Sequence, residues 1–82
     1  MTSKSKTDLL NEIDRLASEY KLDYYLYPYF TKKGNLIFYD LEEKRTLRNS
    51  KGKLLHNKLA IEWLENEAID GEDLGYLYKL LN

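Results

Sequence analysis

The chain has 82 residues, of which 43% are hydrophobic and 33% are charged, and its formal net charge is −1. This composition is typical of a folded domain and excludes a disordered chain. The sequence has no cysteine and no apolar run long enough to cross a membrane, which excludes a disulfide framework and a membrane span. We therefore expect a cytoplasmic protein in which residues 1–82 form a single small α+β domain, with residues 1–6 as a flexible tail.

An amphipathic helix is the first predicted element, and it runs from about Asp8 to Lys21 with Thr7 as its N-cap. Apolar residues recur along it at spacings of three and four, at Leu9, Ile13, Leu16 and Tyr20. Such a stripe predicts a helix that buries one face against the rest of the domain and leaves the opposite face in water.

A β-hairpin over residues 23–41 is the strongest local prediction, because two runs rich in aromatic and β-branched residues flank a short polar loop. Gly34 can adopt the positive φ that the third position of a three-residue loop requires. This register pairs Phe30 with Leu36. Pro28 has no N–H to donate to a sheet, so the first strand is predicted to lie at an edge.

In that register the two faces of the hairpin differ in chemistry, because side chains alternate across a strand. The first face has no hydroxyl groups and consists of Leu26, Pro28, Phe30, Leu36 and Phe38. The second face is a row of tyrosines around one isoleucine: Tyr25, Tyr27, Tyr29, Ile37 and Tyr39. The usual two-layer arrangement would cover this second face with a helix. The other interpretation is an exposed surface on which a protein partner packs or nucleotide bases stack.

A third strand is predicted after the hairpin, because a second reversal near residues 42–44 would return residues 45–48 alongside the second strand. The second strand would then be central, with Pro28 at one edge of the sheet and two arginines at the other. A cluster of turn-forming residues follows at positions 49–53.

Two helices packed on the sheet complete the predicted fold. The first begins between Leu54 and Asn57 and ends at Gly71, which closes it in a left-handed conformation. Apolar residues cover more than half of its circumference, so we expect it to be the most buried helix, with Trp63 as its core residue. Asp70 is predicted to cap the last helix.

Charge is distributed unevenly along the chain. Residues 1–31 sum to −1, residues 32–58 to +5, and residues 59–82 to −5. The basic and acidic segments either attract each other within the domain or face partners of opposite charge. A homodimer that pairs the basic middle with the acidic end is also consistent with this distribution, so the oligomeric state stays open.

No pattern in the sequence predicts catalysis, a cofactor or a metal site. His56 is the only histidine, and without cysteine a metal would have only carboxylates as its further ligands. The carboxylate pairs do not match the spacing of a calcium loop, and no glycine-rich phosphate loop is present. We therefore expect a protein that is not an enzyme, with His56 as a polar residue at a helix start.

The predicted function is that of a small non-enzymatic protein-interaction module, a regulator or inhibitor that docks on a larger protein. Its predicted contact residues are four tyrosines and two acids: Tyr25, Tyr27, Tyr29, Tyr39, Glu62 and Glu65.

The alternative is a nucleic-acid-binding protein that uses the basic segment 32–58 for phosphates and the sheet tyrosines for stacking. Its predicted phosphate contacts are Lys32, Lys33, Arg45, Arg48, Lys51 and Lys53. The −5 of the last segment favours the first hypothesis, because dedicated nucleic-acid binders are usually basic throughout.

Overall fold

A computed structural model describes residues 3–81 of the chain and confirms the predicted α+β architecture. The elements are α1 (Ser3–Glu19), β1 (Leu26–Phe30), β2 (Leu36–Asp40), β3 (Arg45–Thr46), α2 (Lys58–Trp63) with a π-helical continuation (Leu64–Ala68), and α3 (Gly75–Leu81). The three strands form one antiparallel sheet in the order β1-β2-β3. None of the helices described between residues 3 and 81 is both long and apolar enough to cross a membrane.

Helix α1 begins earlier than predicted, at Ser3, so Thr7 lies inside the helix and is not its N-cap. The helix thus includes residues 3–6 of the segment predicted to be a flexible tail, while residues 1 and 2 lie outside the described chain. No glycine or proline precedes Thr7, and lysine is a good helix former, so nothing local ends the helix there. The ammonium of Lys6 lies 5.4 Å from the centre of the Phe30 ring, a cation–π contact that holds this turn against β1.

The hairpin has the predicted register. Phe30 pairs with Leu36 and Pro28 with Phe38, and β2 is the central strand. Gly34 has a φ of 88°, in the left-handed region that favours glycine.

The third strand differs from its prediction over residues 45–48, because it leaves β2 after Leu47. The Leu47 N–H donates to the Phe38 carbonyl over 2.9 Å, but the residue opposite Ile37 is His56, and Arg48 pairs instead with Leu54. Residues 48–55 therefore form a small hairpin inserted into the third strand, which we call the insertion hairpin. His56 and the residue after it then complete the pairing along β2.

The tight turn of the insertion hairpin explains why the chain leaves the sheet there. The side-chain oxygen of Asn49 accepts hydrogen bonds from the backbone N–H groups of Lys51 and Lys53, each over 2.9 Å. The Arg48 guanidinium donates to the Gly52 carbonyl, also over 2.9 Å. Asparagine is favoured in turns because its side chain can bond to the backbone in this way, so the turn cluster closes a hairpin of its own.

All three helices described within residues 3–81 pack on one face of the sheet. The sheet residues in the buried core alternate along the strands: Leu26, Leu36, Phe38, Leu47 and Leu55. Buried residues of α1, α2 and α3 belong to the same cluster, including Leu9, Ile61 and Leu77, which have no exposed surface. The domain therefore has two layers, with helices on one side of the sheet.

Trp63 is only half-buried, so the prediction that it is the core residue of its helix is wrong. Ala60, Ile61 and Leu64 are the fully buried residues, and they lie on one stripe of a helix with 3.6 residues per turn. Trp63 lies at the margin of that stripe and faces partly outward. The helix then widens, because the Ile69 N–H bonds to the carbonyl of Leu64, five residues earlier, over 2.8 Å.

The last helix begins later than predicted, at Gly75, and its N-terminal contact comes from Asp73 and not from Asp70. The Asp73 carboxylate accepts a hydrogen bond from the Gly75 N–H over 2.9 Å. Asp70 and Gly71 have positive φ values of 54° and 83°, so the chain changes direction there before the helix can start.

Candidate functional site

The sheet face opposite the helices is the main candidate surface, which we call the tyrosine face: Tyr27, Tyr29, Ile37 and Tyr39. In the described chain no helix covers it, so the expectation that a helix covers this face is wrong. Tyr27 is 59% exposed, and Tyr29 and Tyr39 are half-buried. The helices lie on the other face because its side chains, such as Phe38, have no polar group that needs water.

Tyr25 does not belong to this surface, although the alternation of side chains predicted that it would. It lies before β1 begins, where the alternation does not apply, and its ring packs against the core. The ring also makes an edge contact with Tyr24, with the ring centres 5.1 Å apart. Burial is the main cause that raises the pKa of Tyr25.

The tyrosine face has an ordered geometry. The rings of Tyr27 and Tyr29 lie 6.2 Å apart at an angle of 27°, in a stacked arrangement. Tyr27 pairs across the strands with Tyr39, and Tyr29 pairs with Ile37. Ile37 is only 4% exposed although it lies outside the main core cluster, so its neighbours on this face shelter it. The surface thus has an apolar centre with tyrosine hydroxyls around it.

The hydrogen-bond pattern shows which backbone groups of β1 face its free edge. Thr31 donates to the Asn35 carbonyl over 2.9 Å, and Leu41 donates to the Tyr25 carbonyl over 2.7 Å. Bonded pairs alternate in an antiparallel ladder, so the odd-numbered residues of β1 bond to β2. The even-numbered residues direct their backbone groups outward.

Those outward positions leave few donors for an additional strand. Pro28 has no N–H, and the Leu26 N–H is already bonded to the Leu22 carbonyl over 3.0 Å. Only Phe30 keeps an outward N–H within β1. The free edge is therefore protected against strand addition, and a partner would have to contact the face of the sheet.

The two acids predicted to contact a partner lie in the helical layer, away from the tyrosine face. Glu62 is exposed beside Trp63, where both line a shallow groove of about 160 Å³. Glu65 is half-buried and accepts a hydrogen bond from Tyr78. Burial first, and then this bond to a carboxylate, raise the pKa of the Tyr78 hydroxyl to about 12. Glu65 thus has a structural contact of its own.

The predicted phosphate contacts divide among three places. Lys32 and Lys33 are exposed in the loop of the β1–β2 hairpin. Arg45 lies at the opposite end of the sheet, where its backbone is opposite Asp40 of β2. The insertion hairpin holds the remaining cations, which are Arg48, Lys51 and Lys53. Within residues 3–81, none of these six cations forms an ion pair.

The two layers of the domain differ in charge. Residues 23–57, which form the sheet layer, sum to +3, whereas residues 58–81 of the helical layer sum to −4. The basic and acidic segments of the sequence therefore become different sides of the folded domain. A partner that covers the sheet meets a surface with excess positive charge.

A cavity of about 450 Å³ lies where the β1–β2 loop, the start of α2 and the end of α3 meet. Its lining residues are Gly34, His56, Asn57, Lys58, Leu59, Tyr78 and Leu81. No local pattern in the sequence indicates this cavity, because its walls come from three distant segments. His56 is the lining residue that stands out in the sequence, as the single histidine, and its position next to Asn57 before α2 predicts only a polar residue at a helix start.

Within residues 3–81, no group of three or more histidine, aspartate or glutamate side chains could hold a metal ion. Comparisons of the chain with protein-family models, with curated proteins and with solved structures found no significant match. The function is therefore inferred from the geometry of the chain itself.

Proposed function

We propose that this chain is a small non-enzymatic protein-interaction module, a regulator or inhibitor that docks on a larger protein through the tyrosine face. The single observation that supports this most is the open sheet face, where Tyr27 is 59% exposed. Its location in a reducing cytoplasm is part of the proposal and is supported by the absence of cysteine.

The chemistry of the face suits a protein interface. Tyrosine is enriched at such interfaces because its ring supplies apolar contact area while its hydroxyl tolerates water. A fully exposed aromatic side chain can bury about 150–250 Å². Because Tyr29 and Tyr39 are already half-buried, the three rings would supply the centre of an interface of about 800 Å² on this side and less than half of its area. Tyr27 would be the main contact, because it has the most surface left to bury.

Docking would occur on the face and not at the edge of the sheet. Pro28 and the bonded Leu26 N–H leave the free edge of β1 without the donors that an added strand requires. The net positive charge of the sheet layer favours a partner with acidic groups around an apolar patch. Glu62 and Glu65 would then meet a second, basic surface of the partner, which stays a prediction.

The test is affinity capture from an extract of the source cells, in which the wild-type chain is compared with two single variants. Tyr27→Ala removes the most exposed ring of the tyrosine face, and we expect the partner to be lost or its affinity to fall by about 30-fold or more. Tyr24→Ala is the matched control, because Tyr24 is 73% exposed but lies outside that face. A partner that both variants retain, or that both lose, would contradict docking through the tyrosine face.

Single-stranded nucleic acid is a second candidate, and one observation favours it. The stacked rings of Tyr27 and Tyr29 lie on the basic layer, an arrangement on which bases could stack while Lys32 or Lys33 contacts phosphate. A titration with single- and double-stranded oligonucleotides at low and high salt tests it. Saturable binding that weakens steeply with salt would support this candidate, and no binding at low salt would exclude it.

A further inference from the structure

The cavity at the end of the β1–β2 hairpin borders the tyrosine face, because its lining residue His56 lies opposite Ile37. It has the size of a small-molecule site. Its volume of about 450 Å³ lies within the range of about 300–1,000 Å³ that ligand pockets occupy. Three segments distant in sequence form it, so its shape depends on the complete fold. Two adjacent lining residues also deviate from what is usual in folded proteins, one in its backbone and one in its side chain.

The first deviation is at Asn57, which has a φ of 50° and a ψ of −122°, a conformation that few residues other than glycine adopt. Hydrogen bonds maintain it. The Asn57 N–H donates to the Leu36 carbonyl over 2.8 Å, and its side-chain oxygen accepts from the Leu36 N–H over 2.9 Å. Its side-chain amide donates to the Asn35 side chain over 3.0 Å. This side of the cavity is therefore held in position before any ligand binds.

The second deviation is at His56, whose Nδ1 atom is buried and has no hydrogen-bond partner in the described chain. A buried polar atom without a partner costs free energy, so such atoms are uncommon in folded proteins. His56 is a lining residue of the cavity, and a ligand that shifts its ring would change the surroundings of this atom. The histidine therefore offers a spectroscopic signal for occupancy.

The walls of the cavity define the class of ligand. The lining includes the apolar residues Leu59 and Leu81, the aromatic residue Tyr78 and the cationic residue Lys58. Lys6 brings a second ammonium close, since a β-carbon at Gly34 would lie 3.4 Å from its Nζ atom. None of the described lining residues is a carboxylate.

We propose that this cavity binds a small organic anion with an apolar body, such as a medium-chain carboxylate. The apolar body packs against Leu59, Leu81 and the Tyr78 ring, and the anionic group lies beside the Lys58 ammonium. A cation is disfavoured because Lys58 lines the cavity and the Lys6 ammonium lies close, while the Glu65 carboxylate near the cavity is already bonded to Tyr78. A neutral ligand gains no attraction from either lysine.

The test uses octanoate as the probe and octanamide as its neutral counterpart, followed by nitrogen–proton correlation NMR of the full chain. We expect octanoate to cause saturable shifts at Gly34, Leu59 and the His56 ring, with a dissociation constant of about 1 mM or below. Octanamide should bind about threefold to fivefold more weakly, because it lacks the charge. Equal binding of the two compounds, or no saturable shifts with octanoate, would overturn the proposal.

Two exposed lysines provide matched variants for the same titration. Lys58→Gln removes the ammonium at the cavity and should weaken octanoate binding about threefold to fivefold. Lys79→Gln removes a charge from α3 at a position outside the cavity lining, and it should leave the affinity unchanged. Equal weakening by both variants would mean that net charge alone attracts the probe, and it would overturn the site.

Discussion

The two faces of the sheet have similar apolar content but opposite surroundings. On the inner face Phe38 is 1% exposed and packs beneath the helices, whereas on the tyrosine face Tyr27 is 59% exposed. Both residues belong to the same hairpin, and each side of it is rich in large side chains. The hydroxyl groups distinguish the two sides, because a ring that ends in a hydroxyl can remain at a water boundary without a buried polar group.

The two faces of the hairpin therefore contribute differently to the fold. The inner face supplies stability to the domain, whereas the tyrosine face lies outside the core, and we propose that a partner packs on it. Substitutions on the inner face should therefore lower the stability of the domain, and substitutions on the tyrosine face should lower its affinity for a partner.

Phe38→Ala should have the largest effect on stability, because it leaves a cavity beneath the helices. We expect the free energy of unfolding to fall by about 3–5 kcal/mol, a large part of the total for a domain of this size. Urea denaturation followed by circular dichroism measures it. A fall of less than about 1 kcal/mol would show that the inner face does not form the core.

Asn57→Ala should have the next largest effect, at the point where the sheet meets the helical layer. It removes the side-chain bonds to Leu36 and Asn35 and places alanine at a positive φ, so we expect a loss of about 2–3 kcal/mol. Asn57→Gly loses the same bonds but tolerates that backbone, and it should be about 1 kcal/mol milder. Alanine and glycine variants of equal stability would contradict the strain at this residue.

Tyr78 should make the helical layer sensitive to alkaline pH. Its pKa is raised to about 12 in the folded chain, so in the unfolded chain it loses its proton first, near pH 10. Stability from this group is therefore present below about pH 10 and is lost as the pH rises toward about 12. We expect Tyr78→Phe to show a shallower fall in unfolding free energy over that range. Parallel curves for both proteins would be inconsistent with the raised pKa.

Tyr27→Ser should have the smallest effect on folding, although it removes a large ring. The side chain is mostly exposed, so the free energy of unfolding should change by about 0.5 kcal/mol or less. Denaturation under the conditions used for Phe38→Ala gives a direct comparison. A loss comparable to that of Phe38→Ala would mean that the tyrosine face is structural, and the contrast between the faces would disappear.

Local patterns in the sequence predicted the hairpin, its register and the central position of β2. Loop length and the alternation of side chains determine these features, and both are visible in residues 23–41. The alternation of side chains also assigned the residues within the strands to the correct faces of the sheet. It failed at Tyr25, which precedes β1, because the side chain of a residue outside the strand need not follow the pleat.

Features that depend on distant contacts were not predictable in this way. The packing of the helices determines which face of the sheet is covered, and the pattern of residues in the strands alone does not predict that face. The third strand was predicted only as far as Leu47, since His56 replaces Arg48 beside β2 through pairing across the insertion hairpin. The cavity beside Lys58 requires three segments at once, so no local pattern indicates it.

The insertion hairpin has a practical consequence for engineering. The chain leaves β2 opposite Phe38 and returns opposite the adjacent residue Ile37, so the two ends of residues 48–55 are neighbours in space. Loops whose ends already lie close together tolerate changes in length at little entropic cost. Its tip at residues 50–52 is therefore suited to grafting a peptide epitope or a reporter tag. Such a graft would leave both the tyrosine face and the helical core in place.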